Sequence, residues 1–379
     1  MAKLKIGING GGIGGLAAAI ALRKAGHDVE VYEQASNYSR IGADINLTPN
    51  AVRAAKSLGV FEALSETAAR PTHRISRMWD TGEETSRLGM AEEAERKYGA
   101  PQLTIHRADL LDALRRQVPA ECVLLNHRVS AVDASGDKPI VRFENGTSRV
   151  VDVLVGADGI HSMTRTALFG PEKPSFTGLV SYRAVFDRAK VADLPNLDAF
   201  TKWWGPTPDL QIVTFPLNKG KEIFVFATTS QDDWRHESWT MPGDVAELRR
   251  AYANFHPQAR ALLDAAESVT KSALYIRDPL PVWSVGRVTL LGDACHPMVP
   301  FMAQGACMAI EDAVVLGRAL TGVTDAGVPD ALKRYEEARK ERTARVQIGS
   351  RGNEWLKQGG NADWVYAYDA TAVPLDKAA

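Results

Sequence analysis

Hydrophobic and polar residues at the start of the chain form a pattern that predicts a strand, a glycine-rich turn, a helix and a second strand. Residues 4–9 (LKIGIN) are a short apolar run, residues 13–26 are rich in alanine and leucine, and residues 28–33 (DVEVYE) alternate between polar and apolar side chains. Short alternating or apolar runs are typical of strands, and a longer apolar stretch that ends at glycine is typical of a helix. We therefore predict a strand–turn–helix–strand unit.

The rest of the chain shows no repeat of this unit. Its pattern predicts helices over 49–58, 60–68 and 107–118, a meander of strands over 122–159, strands over 176–230, helices near 244–255 and 257–267, a strand at 287–291 and helices over 303–320 and 329–351. The last helix carries many charges of both signs, which predicts a solvated surface. This mixture predicts an α/β protein with a second, sheet-based part.

Composition narrows the class of partner. The 379 residues are 45% hydrophobic and 24% charged, with a net charge of −1 and no long run of one sign. That balance is typical of a soluble globular protein and argues against nucleic acid or a membrane surface as partner. No segment has the ~20 apolar residues of a membrane span or the pattern of a signal peptide.

Three widely separated cysteines, Cys122, Cys295 and Cys307, contain no C-x-x-C pair. An odd number of scattered cysteines predicts neither a disulfide framework nor a metal site. We expect a cytoplasmic protein that acts on a small molecule.

The first motif with chemical meaning is Gly10-x-Gly12-x-x-Gly15, which follows the first predicted strand. Its glycines allow a tight turn, a close approach of the backbone to a pyrophosphate and close packing of helix on strand. Glu33, at the end of the second strand, is placed to accept hydrogen bonds from ribose hydroxyls. The motif predicts a dinucleotide, held by Gly10, Gly12, Ile13, Gly14, Gly15 and Glu33, without distinguishing NAD from FAD.

The first predicted strand ends in a polar amide, Asn9. A buried amide without a partner costs roughly 1–3 kcal/mol. We therefore predict that its side chain hydrogen-bonds a neighbouring loop or backbone group.

Two further motifs follow predicted strands, Asp158-Gly159 after VDVLVGA and Gly292-Asp293 after RVTLL. With these three motifs in this order, the sequence resembles the single-component FAD-dependent aromatic hydroxylases. It is most similar to the branch of the 6-hydroxynicotinate and salicylate hydroxylases, through HPMVPFMAQGACMAIEDA, WRHESWT and ADWVYAYDA. The resemblance extends over almost the whole chain.

The resemblance implies a Rossmann-type FAD-binding domain interleaved with a sheet-based substrate domain, as in p-hydroxybenzoate hydroxylase. The expected divisions are 1–175 and 276–325 for the FAD domain, 176–275 for the substrate domain and 326–379 for C-terminal helices. Besides the glycine motif, it implies the following FAD-binding residues: Arg40, Arg107, Asp158, Asp293, Gly305, Ala306 and Cys307. Asp158 would also serve the nicotinamide cofactor, and Asp293 a ribityl hydroxyl.

The reaction that the resemblance implies is hydroxylation of a small aromatic or N-heteroaromatic acid through a flavin C4a-hydroperoxide. FAD would be reduced by NADH or NADPH, with O₂ as co-substrate. Expected substrate-binding residues are Asn46, Tyr182, Gln211, Phe215, Pro297 and Met302, with His296, Tyr182 and Asn46 as candidate catalytic residues. Alternation along the predicted strand places Gln211 and Phe215 on one face.

Two residues depart from the pattern of the branch. Asp44 stands where glycine is usual, and Asn46 stands where histidine or glutamine is common. Loss of an imidazole at residue 46 removes a group that would bind a hydroxypyridine ring, which argues against 6-hydroxynicotinate itself.

Other functions stay open at this point. The chain lacks the W-x-W-x-I-P string of flavin halogenases, but a halogenase, an isoprenoid reductase or a non-catalytic flavoprotein would share the motifs. The sequence predicts a monomer or homodimer.

Overall fold

The computed structural model describes residues 3–38, 44–236, 238, 240–352, 355–358 and 360–375. It confirms the first predicted unit as a strand, a helix and a strand. In chain order, the strands are β1 (Lys5–Asn9), β2 (Asp28–Tyr32), β3 (Ile45–Leu47), β4 (His73–Met78), β5 (Glu84–Gly89), β6 (Leu103–Ile105), β7 (Val123–Leu124), β8 (Val129–Asp133), β9 (Ile140–Phe143), β10 (Ser148–Val150), β11 (Val153–Gly156), β12 (Ser175–Asp187), β13 (Phe200–Trp204), β14 (Gln211–Leu217), β15 (Glu222–Ser230), β16 (Pro242–Gly243), β17 (Val269–Ile276), β18 (Ser284–Val285) and β19 (Val288–Leu290).

The helices also follow the predicted pattern over most of the chain. In chain order, they are α1 (Ile13–Lys24), α2 (Pro49–Leu58), α3 (Phe61–Ser65), α4 (Glu92–Tyr98), α5 (Arg107–Arg115), α6 (Met163–Phe169), α7 (Val245–Ala251), α8 (Pro257–Asp264), α9 (Gly305–Leu320), α10 (Val328–Arg351) and α11 (Asp363–Tyr366). Among the described residues, no helix is both long enough and apolar enough to span a membrane.

The first sheet brings the three sequence motifs to one edge. Its strand order is β18-β19-β11-β1-β2-β7, and β19, β11, β1, β2 and β7 run parallel. Gly10 follows β1, Asp158 follows β11 and Gly292 follows β19. The carboxyl ends of neighbouring parallel strands lie at the same edge of a sheet. All three motifs therefore meet at one edge, here called the motif edge, where an open α/β sheet binds its ligand.

Small residues allow two helices to pack closely beside this sheet. A Cβ atom built at Gly317 of α9 would lie 2.8 Å from the Cβ of Ala21 in α1. The two backbones therefore approach more closely than side chains larger than alanine permit. This contact fixes α9, whose N-terminus points toward the motif edge.

The second sheet has the order β16-β17-β12-β15-β14-β13-β4-β5. It includes β4 and β5, from residues 73–89, which the predicted boundary at residue 175 assigns to the first part. The reason for this difference is long-range pairing, since β4 lies parallel to β13, with Arg74 opposite Phe200. Parallel pairing needs a long crossover, so local sequence pattern does not reveal it.

Both faces of the second sheet are buried. On one face, Tyr182 and Ile212 pack against Leu248 of α7 and Leu262 of α8. On the other, aromatic side chains that include Phe215 form a separate cluster with Val299 and Phe301 from the segment after the Gly-Asp motif. The segment after the Gly-Asp motif therefore packs on the face that carries Phe215.

Helix α10 confirms one prediction from the sequence only in part. Its charges predicted a solvated face, and Lys333, Glu337 and Glu341 are exposed. On the opposite face, however, the polar side chains are buried: Glu336, Arg339, Thr343 and Gln347. The helix packs on α9, where acidic side chains pair with its arginines. Charge composition alone did not show that these side chains have partners inside the protein.

Candidate functional site

The glycine turn combines two tightly packed residues with one that faces open space. Gly10 has a φ of +108°, and a Cβ there would lie 2.4 Å from the carbonyl oxygen of Ala157. A Cβ at Gly15 would lie 1.9 Å from the carbonyl oxygen of Gly10. No described atom lies within 4 Å of a Cβ at Gly12. The turn therefore leaves room for a ligand at Gly12, as expected for a pyrophosphate site.

The neighbouring residues of the turn pack against the protein. Ile13 is partly buried against the main core. A Cβ at Gly14 would lie 2.7 Å from the side chain of Leu291. Both residues therefore position the start of α1.

Glu33 lies beside the turn, as predicted. Its Oε2 accepts a hydrogen bond from the backbone N–H of Gly11 at 2.8 Å, and its Oε1 accepts one from Ala35 at 2.8 Å. The backbone thus fixes a carboxylate at the end of β2. Its predicted contact with ribose hydroxyls stays a prediction.

Arg107 connects Glu33 with the Gly-Asp motif electrostatically. Burial lowers the pKa of the Arg107 guanidinium, and the carboxylates of Asp293 and Glu33 oppose that effect. Asp293 itself is exposed at the motif edge. The three residues come from separate segments and are brought to one region, while Arg40 lies outside the described residues.

Asn9 confirms the prediction made for its side chain. The residue is 6% exposed, and its Nδ2 donates to Asp158 Oδ2 at 2.7 Å and to Thr164 Oγ1 at 3.0 Å. Asp158 also accepts hydrogen bonds from Ser162 Oγ at 2.5 Å and from the backbone N–H of Thr164 at 3.0 Å. Burial raises the pKa of the Asp158 carboxyl. Asn9 therefore joins the first motif to the second.

The N-terminus of α9 supplies backbone donors at the same edge. No described atom lies within 4 Å of a Cβ at Gly305, and Ala306 is partly exposed. Cys307 is buried, and its thiol donates to the carbonyl oxygen of Asn46 at 3.4 Å. Burial raises the pKa of that thiol to about 11, so the thiol is protonated near neutral pH. A helix N-terminus favours negative charge on a bound group.

A buried ionic network lies between the Gly-Asp motif, α9 and α10. Asp312 of α9 accepts hydrogen bonds from the backbone N–H of Gly292 at 3.1 Å and from Arg339 Nε at 2.7 Å. Its Oδ2 lies 2.6 Å from Nε2 of His296. Arg339 also forms an ion pair of 2.7 Å with Glu311. The network fixes the Gly-Asp motif against α9 and α10.

His296, a candidate catalytic residue, belongs to this network. The residue is 1% exposed, and its ring packs 5.4 Å from the ring of Trp283. Its hydrogen bond to Asp312 directs the imidazole into the core. The observed contacts of this imidazole therefore fix the turn that carries the motif, and a catalytic role for His296 stays a prediction.

Cys295, His296 and Asp312 also lie close enough to suggest a metal site, with candidate ligand atoms within 4.8 Å of one another. Asp312 is engaged by the guanidinium of Arg339, and burial raises the pKa of the Cys295 thiol well above its ordinary value. A metal ion needs the thiolate. We interpret the group as part of the ionic network.

The face of the second sheet that carries Phe215 is here called the wall. Val299 and Phe301, from the segment after the Gly-Asp motif, pack against it. Phe200 stacks on Phe215 with ring centroids 5.3 Å apart. Next to them along the strands, Lys202 pairs with Val213, and Trp204 pairs with Gln211. Phe215 and Gln211 do share a face, as predicted.

Tyr182 does not face this wall, which corrects its predicted role. It is 1% exposed and packs in the cluster on the helix-covered side of the sheet. Its hydroxyl accepts a hydrogen bond from Gln231 Nε2 at 2.9 Å. The neighbouring residue, Arg183, lies on the wall instead, because successive side chains of a strand point to opposite faces.

Two buried amide side chains have polar atoms without a described hydrogen-bond partner. Gln211 is 1% exposed, and neither polar atom of its amide has a hydrogen-bond partner within the described part of the chain. Asn46 accepts a hydrogen bond from Gln102 Nε2 at 2.7 Å, whereas its Nδ2 has no described partner. Both amides can therefore bind a ligand.

The last two predicted substrate residues have packing roles. Met302 is 1% exposed and belongs to the main core rather than to the cluster with Phe215. Pro297 is buried, and its carbonyl oxygen accepts a hydrogen bond from Gln347 at 3.0 Å. Phe301, between them, is the residue of this segment that packs with the wall.

Sequence reasoning missed Lys202, a basic side chain of the wall. Lys202 is 2% exposed, with its Nζ 3.7 Å from the ring centroid of Trp204 and 5.9 Å from that of Phe301. Burial lowers the pKa of Lys202 well below its ordinary value, and the cations Arg74 and Lys357 act in the same direction. The signal was present in AFTKWWG, where Lys202 shares a face with Phe200 and Trp204.

An arginine and an acidic residue interact at the other side of the wall. Arg183 is 8% exposed, and burial lowers its pKa while Asp44 opposes that effect. Burial also raises the pKa of the Asp44 carboxyl to about 6, against the influence of Arg183 and His106. The pKa of Asp44 thus depends on Arg183, a residue of the wall.

Comparison with known proteins agrees with this geometry. Residues 3–349 match the FAD binding domain family. The chain is 40% identical to a 6-hydroxynicotinate 3-monooxygenase of Bordetella bronchiseptica, over 98% of this chain and 97% of that protein. It is 35% identical to a 3-amino-4-hydroxybenzoate 2-monooxygenase of Streptomyces platensis, over 97% of each chain. A solved salicylate hydroxylase substrate complex has a TM-score of 0.83 and 27% identity, covering 98% of this chain and 97% of that one.

Proposed function

Because the chain belongs to the FAD binding domain family and is an FAD-dependent aromatic-ring monooxygenase, we propose that it hydroxylates a small aromatic or N-heteroaromatic acid. Its relatives act on 6-hydroxynicotinate and on 3-amino-4-hydroxybenzoate, which are acids of this kind. Reducing equivalents come from NADH or NADPH, and O₂ is the co-substrate. The alternatives of halogenase, isoprenoid reductase and non-catalytic flavoprotein have less support.

The observation that carries this proposal is the wall of the second sheet. Phe200, Phe215 and Phe224 give it an apolar surface for a planar ring, and Lys202 and Arg183 are basic side chains buried on the same face. It faces the segment that follows the Gly-Asp motif, from which Phe301 contacts it. An aromatic acid has the matching combination of a flat apolar ring and a negative group.

The residues at the motif edge fit FAD. Gly12 leaves space for the pyrophosphate, Glu33 is fixed beside it, and the N-terminus of α9 at Gly305 is open to a ligand. When bound there, FAD supplies the redox chemistry between the nicotinamide cofactor, O₂ and the ring. Asp158 and Asp293 would contact it from the second and third motifs.

The protein itself binds and orients the substrate and excludes water from it. The buried wall keeps water from the reacting ring, which would limit side reactions there. The amides of Gln211 and Asn46 can hydrogen-bond ring substituents but do not take up a proton near neutral pH. We therefore infer that they position a ring hydroxyl and do not act as general bases.

The identity of the acid depends on the same residues. Asn46 offers an amide where an imidazole is common in the similar branch, so we infer an acid other than 6-hydroxynicotinate as the preferred substrate. We propose that the protein acts in the cytoplasm as a monomer or homodimer, although one structural neighbour is described as a tetramer.

The test is a panel of hydroxybenzoates, hydroxynicotinates and related rings with the purified, FAD-loaded protein. Substrate-stimulated NADH oxidation and O₂ uptake are measured together with product mass. We expect at least one acid to stimulate both and to gain one oxygen atom. A chlorinated product in the presence of chloride would instead indicate a halogenase, reduction of an isoprenoid chain would indicate a reductase, and absence of turnover on the whole panel would contradict the proposal.

A further inference from the structure

We propose that three buried polar side chains, those of Thr48, Asn50 and Gln304, hold the N-terminus of α9 in place beside FAD and so raise the reduction potential of the bound flavin. All three residues are 0% exposed, so a ligand at this edge meets the backbone of α9 and not these side chains. Their role is therefore one of positioning. The inference goes beyond the proposed function, because it does not depend on which acid is hydroxylated.

The three side chains form a closed cycle of hydrogen bonds, called here the amide–hydroxyl cycle. The Thr48 hydroxyl donates to Asn50 Oδ1 at 2.6 Å. Asn50 Nδ2 donates to Gln304 Oε1 at 3.1 Å, and Gln304 Nε2 donates back to Thr48 Oγ1 at 2.8 Å. Each side chain is thus both a donor and an acceptor, and removal of any one takes a buried hydrogen bond from each of the other two.

Glu311 of α9 determines the direction of the cycle. Its Oε1 accepts a hydrogen bond from Asn50 Nδ2 at 2.6 Å, and its carboxylate pairs with two arginines of α10 at 2.7 and 3.0 Å. An ionised carboxylate only accepts hydrogen bonds, so the amide nitrogen of Asn50 faces Glu311 and the amide oxygen faces Thr48. The Thr48 hydroxyl must then donate to Asn50, which leaves its oxygen to accept from Gln304.

Gln304 connects the cycle to the backbone that a ligand meets. It lies directly before Gly305, the first residue of α9, and directly after Ala303, which has a φ of +55°. Residues with a side chain rarely adopt this left-handed conformation, and it persists only where the surrounding structure holds it. The hydrogen bonds of the Gln304 side chain supply such a constraint. Loss of the cycle should therefore loosen the start of α9.

The position of this helix end matters for the cofactor because of its charge. Helix α9 has 16 residues, and the first backbone N–H groups of a helix form its positive end. FAD gains electrons on reduction, so positive potential beside it stabilises the reduced form more than the oxidised form. A helix end held firmly in place thus raises the reduction potential, and a loosened end lowers it.

Another buried threonine provides a matched control. Thr343 of α10 is 1% exposed, and its hydroxyl donates to the carbonyl oxygens of Arg339 and Lys340 at 3.1 Å within its own helix. Thr343→Val therefore removes a buried hydroxyl without removing a hydrogen bond of the amide–hydroxyl cycle.

The experiment measures the midpoint potential of the bound flavin by equilibration with reference dyes, without an aromatic substrate. The variants are Thr48→Val, Thr48→Ser, Gln304→Met, the double variant Thr48→Val/Gln304→Met and the control Thr343→Val. Valine has nearly the shape of threonine but no hydroxyl, whereas serine keeps the hydroxyl. The Tm of the FAD-free protein and the Kd of oxidised FAD are recorded for each variant.

We expect Thr48→Val and Gln304→Met to lower the potential. The Kd of reduced FAD should rise about 10-fold more than that of oxidised FAD, as expected for a charge at a partly buried helix end, and this ratio corresponds to about 30 mV for a two-electron couple. The double variant should shift the potential little further, because both residues act through one cycle. Thr48→Ser should stay close to the wild type, and Thr343→Val should lower Tm without shifting the potential.

The proposal is overturned if Thr48→Val keeps the wild-type potential, or if Thr48→Ser or Thr343→Val shifts the potential as much as Thr48→Val does. Shifts that add fully in the double variant would also overturn it. Should Thr48→Val not retain FAD, Gln304→Met is judged by the same measurements. Should neither variant retain FAD, a wild-type Tm of the FAD-free protein supports the proposal, whereas unfolding of the FAD-free protein overturns it.

Failure of the proposed function has a different signature. The potentials would then shift as expected in the variants, while no acid is hydroxylated by the wild type. Hydroxylation by the wild type together with unchanged potentials in Thr48→Val and Gln304→Met would refute this inference alone.

Discussion

Replacing Arg339 by methionine tests whether the buried ionic network supports the motif edge. Arg339 is fully buried, donates to Asp312 and pairs with Glu311. Methionine has a similar length but no charge, so the substitution leaves two buried carboxylates with one cation fewer. We expect lower stability and weaker FAD binding, because Asp312 also holds the backbone N–H of Gly292.

The size of the effect follows from the partners that remain. Breaking a buried ion pair by removing one partner costs roughly 3–5 kcal/mol. Arg342 still contacts both oxygens of Glu311 at 3.0 Å, and His296 still bonds Asp312, which favours the lower end. At roughly 2.1 cal/mol/K of unfolding entropy per residue, a chain of 379 residues would lose about 4 °C in Tm for about 3 kcal/mol.

The effect should also depend on pH in a defined direction. Although burial favours the neutral acid, His296 and Arg339 hold the pKa of Asp312 below its ordinary value. The stabilisation from this low pKa is present at neutral pH and is lost as pH falls. In Arg339→Met the carboxylates accept protons more readily, so the stability gap to wild type should narrow on acidification.

The assay is thermal melting of the FAD-loaded and FAD-free protein across pH, with Arg345→Met as control. Arg345 is exposed on the same helix and lies 4.0 Å from the ring centroid of Trp364, so its loss should cost less than about 1 kcal/mol. Equal Tm values for Arg339→Met and Arg345→Met would refute the reasoning. A gap that widens at low pH would refute the electrostatic explanation.

Further substitutions test the motif edge and the wall. Gly15→Ala should unfold the turn and abolish FAD retention, because its Cβ would lie 1.9 Å from a backbone oxygen. A Cβ at Gly12 meets no described atom, so Gly12→Ala should leave the Tm of the FAD-free protein unchanged. The same substitution should raise the Kd for FAD in a fluorescence titration. Asn9→Leu should destabilise the FAD-free protein by about 1–3 kcal/mol in urea unfolding, since Asp158 loses a buried donor; an unchanged midpoint would show that the hydrogen bond contributes nothing. The pKa of Asp44 is raised from 3.8 to about 6, so the folded protein disfavours the ionised carboxyl. As pH rises from about 4 to about 6, the wild type should therefore lose about 1–3 kcal/mol of stability relative to Asp44→Asn. A stability difference that does not depend on pH would contradict this.

The motif edge was predictable because its signals are local. Each motif directly follows an apolar strand, and parallel strands bring such turns together without further information. Even the bonding of Asn9 followed from the cost of burying an amide. What the sequence did not reveal there is the network behind the edge, since the pairing of Arg339 with Asp312 joins two helices through a tertiary contact.

The wall was less predictable because it depends on register between strands. Alternation correctly grouped Gln211 with Phe215 within β14, but it does not indicate which face of β12 joins them. The choice between Tyr182 and Arg183 is settled by pairing of β12 with β15, which places Arg183 opposite Phe226. A shift of one residue exchanges the two faces of a strand, and this exchange explains the incorrect assignment of Tyr182.

Successive side chains of β13 and β14 point to opposite faces of the sheet, so residues that face a ligand alternate with residues that pack in the core. Lys202 and Gln211 face the wall, while Trp203 and Ile212 pack with the helix-covered core. Substitutions at the first two positions change the chemistry offered to a ring without removing contacts from that core, whereas substitutions at the other two create cavities that cost about 2–5 kcal/mol. The fold can therefore accept a different aromatic acid through a few changes on alternate residues, while the motif edge and its flavin chemistry stay in place.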